Sequence, residues 1–93
     1  MSNVFSQKND KIFQQILPLH KGEVGRRYKI VNCQLLPDIK TRLGEMGLVK
    51  DTVVTIVKKA PLGDPIEINV RGYCLCIRAT EAEHFSVVEV QDE

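Results

Sequence analysis

The chain has 93 residues, 43% hydrophobic and 27% charged, and its 13 Lys and Arg against 12 Asp and Glu leave a formal net charge of +1. That length bounds it to one compact module with short tails, and the balanced charge argues against a partner read through nucleic-acid phosphates, which calls for excess cation on one face. The longest apolar run, near Val53 to Val57, falls far short of the ~20 residues that cross a bilayer, so the chain is not expected to span a membrane.

From Met1 to Lys11 the chain carries Asn3, Gln7, Lys8, Asn9 and Asp10 and lacks the apolar core of a secretory signal, which makes the cytoplasm the expected compartment. Residues 1–16 read as a polar arm or tail whose isolated Val4, Phe5, Ile12 and Phe13 fit a tail, an arm laid on a neighbour, or a short helix. The folded domain is expected over 17–90. Leu17 to Glu23 reads as a turn, and Val24 to Cys33 supplies a first strand through Tyr28, Ile30 and Val31.

Leu36-Pro37-Asp38 marks the start of a short helix, with Asp38 as its cap and its charge favoured beside the unpaired amides of the first turn. Ile39, Leu43 and Met46 then share one helical face. Gly47 suits the left-handed residue just past a helix end, with Leu48 folding back on Leu43. Gly44 dissents, since glycine inside a helix costs about 1 kcal/mol relative to alanine.

The remainder reads as β. Thr52 to Lys59 is rich in β-branched residues, Ala60 to Pro65 (APLGDP) is a turn cluster, and Ile66 to Arg78 alternates on both sides of Arg71-Gly72. With Arg71-Gly72 as a hairpin loop, Val70 pairs Tyr73, Asn69 pairs Cys74, Ile68 pairs Leu75, Glu67 pairs Cys76 and Ile66 pairs Ile77. Thr80 to Glu83 makes a turn or single helical turn, Phe85 to Val90 a last strand, and residues 91–93 a polar tail. About five antiparallel strands with one short helix after the first make a mainly β fold, and a meander this short curls into a small barrel to protect its edges.

Enzyme chemistry finds no support. His20 and His84 lie in opposite flanks, no serine or cysteine occupies a triad or nucleophile-elbow spacing, and neither GxxxxGK nor GxGxxG occurs, so neither catalysis nor a bound cofactor is expected. The cysteines, Cys33, Cys74 and Cys76, make an odd count with two of them one residue apart, which fits reduced thiols rather than a disulfide framework. Cys74 and Cys76 face one side of a strand, and thiolates suit soft ions. A structural zinc or iron site needs further ligands, for which Cys33, His84 or Glu67 would have to serve. The alternatives are a small metal carrier using Cys74 and Cys76, or two thiols with no ligand on the outer face of a strand.

The chain has no Trp, and its few Tyr and Phe are scattered, so an aromatic groove for proline-rich peptides is not expected even on an SH3-shaped barrel. The APLGDP loop is longer than a hairpin needs. Pro61 and Pro65 stiffen it and Leu62 sits at its tip, which suits partner contact because less freedom is lost on binding. Leu62 covering one barrel end is the competing reading. The expected partner surface is Pro61, Leu62 and Asp64, joined by Met46 and Leu48 if the helix end packs beside the loop.

Taken in order, Arg42, Leu43, Met46-Gly47-Leu48, Val53, Ala60 to Pro65, Val70-Arg71-Gly72, Leu75, Ile77-Arg78 and Glu81-Ala82 resemble the FeoA family over about residues 17–90. The resemblance implies a small cytoplasmic protein with an SH3-like barrel plus a helix, accessory to ferrous iron uptake. It implies as partner FeoB, the bacterial ferrous iron transporter whose membrane channel carries a cytosolic GTP-binding domain. The same domain closes iron- and manganese-dependent repressors, but this chain is too short to carry their DNA-reading helices as well. Where the family often has glycine before its second strand, this chain has Lys50-Asp51-Thr52, and aspartate tolerates the left-handed region. Kinship adds nothing to metal binding at Cys74 and Cys76, and leaves room for self-association.

Overall fold

The computed structural model describes residues 15–91. Its elements in chain order are β1 (Ile16–Pro18), a 3-10 turn (Leu19–Lys21), β2 (Arg27–Cys33), α1 (Pro37–Glu45), β3 (Val53–Lys59), β4 (Ile66–Val70), β5 (Tyr73–Ile77), α2 (Ala79–Ala82) and β6 (Phe85–Glu89). All strand pairings are antiparallel, in one six-stranded sheet of order β1-β6-β2-β3-β4-β5. The fold is mainly β, of the SH3-like small-barrel kind. Of the arm expected over residues 1–16, residues 1–14 lie outside the described residues, and so do residues 92 and 93 of the tail.

The expected five strands become six because Ile16, Leu17 and Pro18, read partly as tail and partly as turn, pair with Val88, Val87 and Ser86. The first strand of the sequence reading starts later than Val24, at Arg27, because Gly25 takes φ +91° and Val24 lies exposed in a turn. Asp38 does not cap α1. Leu36 is the N-cap residue with no side-chain bond, and Pro37 opens the helix. Proline fixes a helical φ and pushes the residue before it to extended backbone, here φ −59° and ψ 150°, which moves the start one residue earlier than the acidic cap implied.

The end of α1 is as expected. Gly47 takes φ +101°, its N–H donates to the Gly44 carbonyl at 2.9 Å, and the Leu48 N–H donates to the Leu43 carbonyl at 3.1 Å. That paired arrangement is a Schellman ending. Leu43 and Leu48 meet the core, each 3% exposed. Asp51 takes φ +73° and its N–H donates to the Ile30 carbonyl at 2.7 Å, so aspartate supplies the left-handed turn before β3.

Period-2 alternation then builds the barrel wall. Ile66, Ile68 and Val70 are fully buried while Glu67 and Asn69 between them are half-buried. One cluster joins them to Ile30, Val54, Ile56, Ile77, Phe85 and Val87, with Leu19 and Ala82 fully buried in the same core. Strands from the whole sheet share this core because the sheet coils on itself. Register shifts between Ile30 and Asn32 and between Ile56 and Lys58 are the bulges that bend β2 and β3. The β4–β5 register is the expected one at every pair, closed by Arg71 at φ +52° and Gly72 at φ +91°, the positive pair that a tight type I′ turn requires.

Candidate docking loop

The loop between β3 and β4 is built as a rigid projection. The Gly63 N–H donates to the Ala60 carbonyl at 2.8 Å, closing a β-turn with Pro61 at its second position and Leu62, at φ +75°, at its third. These are the marks of a type II turn, whose third position ordinarily falls to glycine or asparagine. A leucine there is held in a region that costs an L-residue about 1–2 kcal/mol. Its side chain contacts nothing: Leu62 is 104% exposed. Leu62 therefore does not cover a barrel end.

Both flanks of the loop are fastened. The Ala60 N–H donates to the Pro65 carbonyl at 3.0 Å, and the Lys59 ammonium donates to the His20 carbonyl at 3.0 Å. Asp64, followed by a cis peptide bond to Pro65, accepts the Ala79 N–H on Oδ1 at 2.8 Å and so satisfies an orphan amide at the start of α2. Glu81 continues the chain of contacts. Its Oε1 accepts the Arg78 N–H at 3.2 Å and its Oε2 accepts Arg42 Nη2 at 2.9 Å, tying α2 to α1.

The other expected contact residues lie elsewhere. The end of α1 packs beside the Arg71-Gly72 turn, where the Tyr73 hydroxyl donates to the Met46 carbonyl and a Cβ on Gly47 would come 3.1 Å from Val70. That turn and the APLGDP loop sit at opposite ends of β4, about 15 Å apart at ~3.3 Å per residue. Met46 is 36% exposed and Leu48 is in the core, so Leu48 offers no surface and Met46 does not adjoin the loop. Pro61 and Leu62 are exposed at the tip, while the Asp64 carboxylate is engaged by α2.

Cys74 and Cys76 are exposed on the outer face of β5, opposite Asn69 and Glu67, and the Asn69 amide lies 3.8 Å from Cys74 Sγ. Among the described residues no group of three or more His, Cys, Asp or Glu is arranged to hold a metal ion. Sequence reasoning missed a mainly apolar groove of 520 Å³ between the start of α1 and α2, walled by Leu35, Leu36, Ile39, Thr80 and His84. Its walls are far apart in sequence, and only the Leu35-Leu36-Pro37 run with Leu36 70% exposed hinted at it.

A family model described as the FeoA domain matches residues 17–89, nearly the whole described chain. The chain belongs to the FeoA family. It is similar to the FeoA protein from Chlorobium tepidum, at 35% identity and TM-score 0.77 over 83% of this chain and 74% of that one. It is also similar to an FeoA-like protein from Clostridium acetobutylicum, at 28% identity and TM-score 0.75 over 87% of this chain and 94% of that one. A manganese-dependent transcriptional repressor shares the fold alone, at 12% identity and TM-score 0.74 over 83% of this chain and 43% of the repressor. A comparison with curated proteins returns no significant match. Membership implies a role in ferrous iron transport and an accessory transport domain rather than an enzyme family. No helix among the described residues is long and apolar enough to cross a membrane.

Proposed function

We propose that this FeoA-family chain is a cytoplasmic accessory protein of ferrous iron uptake that docks on the FeoB transporter through its APLGDP loop. The observation that carries this reading is Leu62, fully exposed and held at φ +75°. An apolar side chain on a loop already fixed at both flanks loses little freedom on binding and gains its burial in full. The surface it fits is a preformed apolar pocket the size of one leucine, rimmed by groups that accept Pro61. The chain reaches the membrane only through this partner and carries out no bond-making of its own.

The test is co-purification of detergent-solubilised FeoB with the tagged chain from a strain expressing both. Retention of FeoB through washing at moderate salt is the expected result, because an apolar anchor is screened little by ions. Loss of all FeoB under those conditions overturns the reading.

A further inference from the structure

Among the described residues β5 is the terminal strand of the sheet, next to β4 alone. In a hairpin closed by a two-residue type I′ turn, the residues flanking the turn exchange both main-chain hydrogen bonds, and the pattern alternates from there. Val70 and Tyr73 flank the turn, so Tyr73, Leu75 and Ile77 direct their amides and carbonyls to β4, while those of Cys74 and Cys76 point to the free edge. Among the described residues no main-chain bond from another segment occupies them. Edges are ordinarily blunted by charge, proline or a bulge. Tyr73-Cys74-Leu75-Cys76-Ile77 has none of these, and Tyr73 (48% exposed), Cys74 and Cys76 are all exposed.

We infer that this edge pairs with itself: β5 of two copies joins antiparallel about a twofold axis through Leu75. In that register Cys74 faces the partner's Cys76 and exchanges both main-chain hydrogen bonds with it. Leu75 faces the partner's Leu75, and Tyr73 lies opposite the partner's Ile77, whose side chain stays in its own core. A shift placing Cys74 against the partner's Cys74 would waste the turn residue Gly72 on Cys76, and a shift the other way would set Arg78 against Cys74. The spacing of one residue between the thiols lets each face a thiol of the other copy. Within one strand the two side chains run parallel at ~6.6 Å between Cα atoms, which disfavours a bond between them, whereas opposed residues lie at ~5.5 Å, inside the disulfide range. This interface uses the edge of β5 rather than the APLGDP loop and stands independently of FeoB docking.

Glutathione disulfide reports on the geometry. One thiolate displaces a glutathione thiol to form a mixed disulfide, the facing thiolate displaces the second, and the two electrons lost by the protein thiols reduce glutathione disulfide to two thiols. The experiment compares full-length wild type, Cys74→Ser, Cys76→Ser and an equal mixture of the two variants, all retaining the half-buried Cys33. The expected result is a covalent dimer from wild type, little from either variant alone, and recovery in the mixture, with peptide mapping placing the bond between Cys74 and the partner's Cys76. Cross-linking of each variant with itself as fast as in the mixture overturns the inference. So does a Cys74–Cys76 bond within one chain, or wild type that stays monomeric in oxidant.

Discussion

The Asp64 carboxylate accepts the Ala79 main-chain N–H at 2.8 Å, joining the APLGDP loop to the first turn of α2 across the barrel end. One acceptor thus serves two structures: it fills the orphan amide that α2 cannot fill from its own Arg78 cap residue, and it fixes the direction in which Leu62 projects. Asp64→Ala is expected to lower stability by about 0.5–2 kcal/mol, the range for losing a helix-start acceptor, while Asp64→Asn keeps the oxygen and most of the stability. Thermal unfolding of the two variants checks it, and equal losses would show that the hydrogen bond contributes nothing.

Leu62→Gly separates stability from docking. Glycine removes the left-handed penalty of about 1–2 kcal/mol and adds about 0.5–1 kcal/mol of backbone entropy to the unfolded chain. The variant should be as stable as wild type or up to about 1.5 kcal/mol more so by denaturant titration, and should bind FeoB less well.

Gly44 is the penultimate residue of α1, its φ is not left-handed, and a Cβ there meets only Val49 at 3.6 Å, an ordinary contact. Gly44→Ala should raise stability by up to about 1 kcal/mol, the propensity difference of a helix interior being the upper bound in a last turn. A midpoint shift to higher urea at unchanged m-value is the expected readout.

Gly22 presents the opposite case. A Cβ there falls 2.6 Å from Ile56 Cδ1 and 2.8 Å from Tyr28 Cε2, and the Tyr28 ring cannot retreat freely because its hydroxyl accepts the Glu23 N–H at 2.8 Å. Gly22→Ala is therefore expected to cost about 1–3 kcal/mol through overpacking. Equilibrium unfolding measures it, and a neutral substitution would mean that the turn over Tyr28 is loose.

The sequence disclosed what local rules determine. The Arg71-Gly72 turn fixed the β4–β5 register because a slip by one residue would turn Ile66, Ile68 and Val70 outward, and Gly47 marked the end of α1 because only a left-handed residue closes that ending. Hidden from it were features made by distant segments. β1 is short, carries Pro18 and gains its order only from β6, so nothing in its own pattern distinguishes it from a turn. Asp64 looked like a free surface carboxylate until the fold brought Ala79 to it. Leu48 satisfied two readings, folding back on Leu43 and facing a partner, and burial at the helix end decided for the first.

The most direct measurement is the affinity of FeoB for wild-type, Leu62→Gly and Leu62→Glu chains, each verified as folded by its thermal transition. Burial of one leucine side chain contributes about 1.5–3 kcal/mol, so both variants should bind roughly ten- to a hundredfold more weakly than wild type. Leu62→Glu binding FeoB as tightly as wild type would contradict the account.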